Sequence, residues 1–276
     1  MKKFLFIPVL FLFFIRLSAQ NKVELFPGSL TFQPFAANSL EPKLGFLFHT
    51  SENELRLDIG NSMDLVRYTD ENSELAFGAD MFTYTRLSKE TDFHFPVDAV
   101  DYLFGVNFSY KSALDENYEL GARLRISHIS AHMVDGHYDK TEQEWKDNHT
   151  PRVYSREFLE LMPYIKYKSL RTYIGLTYIF HVDPQYIKKD NYQIGFDYFI
   201  PWEPVRNISP YIGYDFKLIH LNEYTGNNSF VAGFKWGNKS GKGASLYYQY
   251  YCGYSIYGEY FDYKADYSAI GINLDL

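Results

Sequence analysis

From residue 42 onward, apolar and polar side chains alternate with a period of two through most of the chain. In residues 100–112, for example, Tyr102 and Phe104 alternate with Asp101 and Gly105. Successive side chains of a β-strand point to opposite faces, so each such segment predicts a strand with one apolar and one polar face. A mean hydropathy of −0.31, with no apolar run of about 18 residues, excludes a helical membrane bundle.

Three features distinguish the predicted sheet from a soluble sandwich. Tyr and Phe recur on the apolar face, often near strand ends, and aromatic residues make up 19% of the chain. Glycine and charged residues recur on the opposite face, and short connections alternate with long ones, as in outer-membrane barrels. A secreted soluble β protein is the alternative. We therefore predict an all-β fold, an antiparallel transmembrane β-barrel of about 12 strands, at 42–49, 54–68, 74–86, 100–112, 118–132, 152–167, 172–182, 191–200, 209–221, 229–237, 243–252 and 265–276.

The N-terminal part of the chain has a different character. Residues 1–19 combine a basic start, an apolar run and small residues before Gln20, which predicts a cleaved signal peptide. The apolar run is too short to span a bilayer. Residues 20–41 show no clean period and are interpreted as a periplasmic lead-in or a plug segment. Residues 42–276 form the predicted barrel, whose even strand number places both termini in the periplasm.

Charge and cysteine content exclude other classes of protein. The chain carries 27 Lys and Arg against 34 Asp and Glu, for a net charge of −7. This acidity argues against a nucleic-acid partner, which would require a basic patch. The single cysteine, Cys252, excludes an intramolecular disulfide framework and a multi-thiolate metal site.

The polar faces of the predicted strands carry charges of both signs. Mixed charges in a narrow barrel usually pair and fill the interior, whereas a wide aqueous pore belongs to barrels of about 16–18 strands. We therefore predict a structural or narrow-pore envelope protein with a filled lumen. The residues expected to face inward are Arg123, Arg125, Lys217, Lys235, Asp101, Asp197, Asp215 and Asp275.

One segment carries a pattern suited to catalysis. His128 and Ser130 follow the outward phase of strand 118–132, near its outer end, with Cβ atoms about 7 Å apart. A serine becomes a strong nucleophile when a base takes its proton, and a third group should orient that base. The hairpin register sets Glu157 beside His128, and Glu142 in the connecting loop is a rival. Pro163 predicts a bulge or a local break in the strand pairing, and a bulge would turn Glu157 toward the lumen.

The loop 133–151 also suggests a metal site. It is acidic and rich in histidine, and carboxylates suit calcium whereas imidazoles suit zinc. The candidate ligands are His132, Asp135 and His137. No spacing matches a known metal motif, so a solvated outer loop is the alternative.

The His128 and Ser130 arrangement resembles two families of outer-membrane lipid hydrolases, phospholipase A and lipid A deacylase. The resemblance implies that His128 is the base and Ser130 the nucleophile, acting on outer-membrane lipids or lipopolysaccharide. Both families place Asn after the serine, whereas this chain has Ala131. Such hydrolases can depend on calcium and on dimerisation. Apart from that calcium, we predict no cofactor.

Longer segments resemble a family catalogued as domain of unknown function 1207, found in Gram-negative envelopes. The resemblance implies an outer-membrane barrel and supplies no established activity. It rests on FQPFAANSLEPKLG (32–45), RLRISHISAHMVDG (123–136), VYSREFLEL (153–161) and YIFHVDPQYIKKD (178–190). The last strand resembles the C-terminal signal read by the barrel-assembly machinery, although it ends in Leu276 where that signal usually has Phe. We therefore predict the bacterial outer membrane as the location, and the alternative function is an outer-leaflet serine lipid hydrolase.

Overall fold

The computed structural model describes residues 22–92, 94–202 and 205–276. The predicted signal peptide, residues 1–19, lies outside the described residues. The described part contains no helix that is both long and apolar enough to cross a membrane. Its helical elements are three short 3-10 turns in outer loops, Asp135–His137, Lys146–Asn148 and Gly258–Tyr260.

Twelve antiparallel strands form a closed barrel, because β15 pairs with β2 and β3 pairs with both β2 and β4. The predicted all-β, twelve-stranded barrel is confirmed. The strands of the described chain are β1 Lys22–Leu25, β2 Leu44–His49, β3 Glu54–Thr69, β4 Ser73–Ser88, β5 Val97–Ala113, β6 Tyr118–Met133, β7 Tyr138–Asp139, β8 Glu144–Trp145, β9 Tyr154–Tyr167, β10 Leu170–Asp183, β11 Asp190–Phe199, β12 Ile208–His220, β13 Tyr224–Gly237, β14 Gly243–Tyr254 and β15 Lys264–Asp275. Strands β7 and β8 form a separate two-stranded sheet, and β1 pairs with β3 outside the ring of twelve strands.

One edge of β3 is shared by two short strands. β2 pairs with the outer half of β3, with Leu44 opposite Ile59. β1 pairs with the other half of β3, with Leu25 opposite Val66. Residues 26–43, called here the inserted segment, connect β1 to β2 and pass through the interior of the barrel.

The inserted segment is held by polar groups from several sides of the barrel. Arg123 of β6 donates two hydrogen bonds to the Glu41 carboxylate, at 2.7 and 2.8 Å. The backbone amide of Thr31 donates to Asp64 of β3 at 2.8 Å. On the opposite side, Arg171 of β10 donates to the carbonyl oxygen of Gln33 at 2.9 Å. Backbone polar groups that would otherwise be buried unpaired are thereby satisfied.

Aromatic packing and further ion pairs complete the interior. Phe35 is fully buried and stacks on Tyr173 with ring centroids 3.6 Å apart. Arg125 forms an ion pair with Glu160, with Nε 2.7 Å from the carboxylate. Both charges are desolvated, so each depends on the other for compensation.

The loop after β14 folds over the outer end of the barrel. The buried Glu259 carboxylate accepts hydrogen bonds from the backbone amides of Met133 and Arg152, at 3.0 and 2.9 Å. His149 stacks on Tyr260 with ring centroids 4.5 Å apart. Burial, assisted by the nearby Arg152 charge, lowers the pKa of His149 below its ordinary value. The loop after β14, together with His149 and Arg152, is called here the outer cap. Its surroundings favour the neutral form of the His149 imidazole.

Candidate active site on the outward face

Strand β6 presents its functional side chains as the alternation predicts. Arg125 and Ile129 are buried and face inward, whereas Ile126 is exposed on the outer surface. His128 and Ser130 share the phase of Ile126 and are half-buried. The polar pair therefore lies on the outward surface, close to the end of β6 at Met133.

The structure places Glu157 directly beside His128. The two residues are paired across β6 and β9, and His128 Nδ1 lies 2.6 Å from Glu157 Oε1. A carboxylate can only accept, so we assign the Nδ1 proton to the neutral imidazole and leave Nε2 as the acceptor. Of the two expectations for Pro163, the bulge is wrong, whereas a break in pairing occurs on the β10 side, where the pairs run from Tyr173–Tyr164 to Leu176–Leu161. Pro163 pairs with Ala122 within a continuous β6–β9 register, and Glu157 stays outward.

A bulge does occur on the neighbouring strand, and it brings in a residue that the sequence reasoning did not place in the site. The β9–β10 register shifts between Ile179 and His181. Phe180 and His181 are both exposed on the outer surface as a result. His181 Nδ1 then lies 2.5 Å from Glu157 Oε2, so one carboxylate holds two imidazoles. The structural mark of the bulge is that Val182 is buried although it follows the outward phase of Tyr178 and Phe180.

Ser130 completes the set without a direct bond to the base. Its strand neighbours are Tyr102 on β5 and Ser155 on β9. Within the described residues, its hydroxyl makes no hydrogen bond. The spacing of alternate strand residues sets the Cβ atoms of His128 and Ser130 about 7 Å apart. Phe104, opposite His128 on β5, packs against the His128 ring with centroids 4.9 Å apart. This contact restricts the imidazole on the side that faces β5.

The rival orienter and the predicted metal ligands lie elsewhere. Glu142 is exposed in the loop, and its backbone amide donates a hydrogen bond to Asp139 Oδ1. His132 faces outward beside Tyr102, with rings 5.7 Å apart. His137 is buried, and its Nε2 lies 2.9 Å from the carbonyl oxygen of Lys146.

The candidate ligands His132, Asp135 and His137 do not converge on a common point in the described chain. Among the described residues, the group with suitable metal-ligand spacing is instead His49, Glu52 and Glu54, whose ligand atoms lie within 4.8 Å of one another. Glu54 also forms a hydrogen-bonded ion pair with Arg86. The Arg86 charge competes with a cation for that carboxylate.

Comparison with known proteins identifies the architecture. The model of the family described as protein of unknown function, DUF1207, matches residues 96–276. No curated protein sequence matches the chain. The fold is similar to outer membrane phospholipase A from Escherichia coli, with a TM-score of 0.54, 14% identity, and coverage of 88% of this chain and 93% of that one. It is also similar to the calcium-bound phospholipase dimer from Salmonella typhi, with a TM-score of 0.53, 15% identity, and coverage of 88% and 94%.

These identities support a shared fold alone. A closed barrel of twelve antiparallel strands, with an outer-membrane protein as its structural relative, places this chain in the bacterial outer membrane. The predicted location is confirmed.

Proposed function

We propose, from the premise that this chain belongs to the DUF1207 family and folds as an outer-membrane β-barrel, that it is a serine lipid hydrolase of the outer leaflet. The observation that carries the proposal is the 2.6 Å contact between His128 Nδ1 and Glu157 Oε1 on the outward face. This contact orients the His128 imidazole, which lies two residues from Ser130 on the same face of β6. Acyl transfer by a serine requires these three roles: a nucleophile, a base and a group that orients the base.

The cost of the site supports a functional role. Charged residues on the lipid face of a barrel are destabilising, by an amount that falls toward the interfaces. Here Glu157 and two histidines cluster on that face near the outer end of the strands. Ionisable groups at membrane depth more often mark a functional site than a structural one.

The proposed chemistry is a two-step acyl transfer. His128 Nε2 takes the proton from Ser130 as Oγ attacks the ester carbonyl carbon. The proton then passes to the leaving alkoxide, and the acyl group remains on Oγ. Water, deprotonated by the same nitrogen, releases the fatty acid and restores the serine hydroxyl. Throughout, Glu157 holds Nδ1–H and stabilises the imidazolium.

The test measures fatty acid release by mass spectrometry. The full mature chain is folded in detergent and mixed with phospholipid or lipopolysaccharide, in calcium and in chelator. We expect Ser130→Ala to abolish release. Ser155→Ala is the matched control, because it removes a hydroxyl from the neighbouring strand position on the same face. Equal release from wild type and Ser130→Ala would contradict the proposal, as would no release from a well-folded, calcium-loaded dimer.

A second candidate is a structural envelope barrel with a filled lumen. It is favoured by the buried cluster of Arg123, Glu41, Glu160 and Arg125, which joins the inserted segment to the barrel wall. Planar-bilayer recording should then show no discrete channel openings. Regular openings from the wild-type chain would contradict this candidate.

A further inference from the structure

A cavity lies inside the outer half of the barrel, between the inserted segment and the loops that fold over the outer end. Its floor is formed by Ser39 and Leu40, and its upper wall by Ile187, Ile256 and Phe261. It is separate from the outward-facing histidines. We propose that this cavity binds a small organic anion, a carboxylate with a short apolar body.

Two cations in the cavity wall lack an ionic partner. Within the described chain, neither Arg156 nor Lys217 forms an ion pair. Lys217 donates one long hydrogen bond, 3.3 Å, to Asn38 Oδ1. Arg156 has a buried Nε without a hydrogen-bond partner, and its guanidinium lies near the rings of Tyr154 and Phe158, 5.9 and 5.6 Å from their centroids. Both side chains are half-buried, and carboxylates such as Asp215 act on Lys217 only from beyond ion-pair distance, so an anion in direct contact would stabilise both charges.

The carboxylates that line the same cavity are already engaged. Glu160 pairs with Arg125 Nε at 2.7 Å and with Arg123 at 3.4 Å. Asp215 accepts hydrogen bonds from Tyr173, at 2.6 Å, and from Gln193. Both oxygens of Glu160 and the Oδ2 atom of Asp215 are thus committed to other donors, and the groups left to attract an anion are the two cations.

The cavity floor is fixed and offers a further polar group. Arg56 donates to the carbonyl oxygen of Ser39 at 2.9 Å, and Arg125 donates to that of Leu40 at 3.3 Å. Ser39 is 7% exposed, and its Oγ has no hydrogen-bond partner. A ligand carboxylate would accept a hydrogen bond from this hydroxyl as well as from the cations.

The remaining wall selects the rest of the ligand. Ile179, Ile187 and Phe261 are buried and apolar, so they favour an alkyl group over a second charged group. The cavity volume is about 70 Å³, less than the roughly 150 Å³ of a cavity known to hold benzene. The enclosed space therefore takes the carboxylate and the first carbons of a short-chain acid, and it excludes a long acyl chain.

Butyrate is the probe for the test, because it is soluble and short enough to stay out of detergent micelles. Isothermal titration and ligand-observed NMR of the full mature chain should show saturable butyrate binding. Butan-1-ol tests whether the ligand needs a charge, and butylammonium tests whether that charge must be negative. Inorganic phosphate tests whether the ligand needs an apolar body. We expect binding of butyrate alone among the four.

Arg156→Met and Lys217→Met should each weaken butyrate binding by about tenfold or more, the loss expected for a charged hydrogen bond. Lys189→Met is the matched control, since Lys189 is exposed beside the same outer loop and does not line the cavity. Where a charge variant fails to fold, Ile256→Trp fills the cavity without changing its charge and should also abolish binding.

The outcomes separate this site from the proposed hydrolase. Ser130→Ala should bind butyrate as the wild type does, whether or not lipid hydrolysis is found. Equal binding by Ile256→Trp and wild type would overturn the cavity assignment. Phosphate or butan-1-ol binding as tight as that of butyrate would overturn the ligand class, and absence of butyrate binding to folded wild type would overturn both.

Discussion

Glu41 provides the sharpest test of how the inserted segment is held. Its carboxylate is fully buried and takes two hydrogen bonds from Arg123, at 2.7 and 2.8 Å. In Glu41→Gln, the Arg123 charge keeps only Glu160 at 3.4 Å, a carboxylate that Arg125 already holds at 2.7 Å. Breaking one side of a buried ion pair costs about 3–5 kcal/mol. The remaining Glu160 contact places the expected loss near the lower end, about 3 kcal/mol.

The measurement is urea unfolding of the full mature chain in lipid vesicles, followed by tryptophan fluorescence. Glu41→Gln, Arg123→Met and the double variant form a double-mutant cycle. We expect the double variant to lose less stability than the sum of the two single-variant losses, because the double variant leaves no unpaired charge from this pair. Single variants within about 0.5 kcal/mol of wild type, the usual range of surface substitutions, or additive effects, would refute the reasoning.

Three further predictions concern the outer site, the outer cap and the packing of the inserted segment. If lipid hydrolysis is found, Glu157→Gln should lower kcat by about a hundredfold or more, since the imidazole loses its orienting charge; the matched His181→Gln should lower it far less, and the reverse order would contradict the assigned roles. Because the pKa of His149 is lowered in the folded state, the stability that the neutral imidazole gives the cap is present above the ordinary pKa and lost as the pH falls through the folded-state value. The protection of amide hydrogens in residues 258–263, measured relative to the intrinsic exchange rate at each pH, should therefore fall at mildly acidic pH in wild type and change less with pH in His149→Gln. Phe35→Ala removes a fully buried ring stacked on Tyr173, so urea unfolding should show a loss of about 3–5 kcal/mol in the free energy of unfolding. A loss under about 1 kcal/mol would show that the Phe35 ring does not stabilise the inserted segment.

The strands could be predicted from the sequence because a barrel wall imposes a strict period of two. Strand 118–132 was expected and Tyr118–Met133 is observed. The pairing of His128 with Glu157 followed from hairpin symmetry about the long loop, without knowledge of its conformation. Local alternation and a single register were sufficient for both results.

Features that break the alternation could not be predicted in the same way. The bulge between Ile179 and His181 adds one residue to the strand, and no local residue type announces it. Pro163 is a residue type expected at a bulge, yet it pairs with Ala122 in a continuous β6–β9 register and only interrupts the pairs with β10. The path of the inserted segment depends on contacts distant in sequence, such as Glu41 with Arg123, which a pattern of neighbours does not encode.

The division of one strand position between β1 and β2 constrains how the barrel can open and assemble. Residues 26–43 are fixed to the wall at both ends, by the 4-residue strand β1 and by β2. The segment cannot leave the interior by rotating about a single attachment; the β1–β3 hydrogen bonds must first break. During assembly, a wall that closed early would have to admit these residues through the mouth of the barrel next to β1. A mechanical force applied to the N-terminus would therefore break the β1–β3 hydrogen bonds before it pulled residues 26–43 out of the lumen.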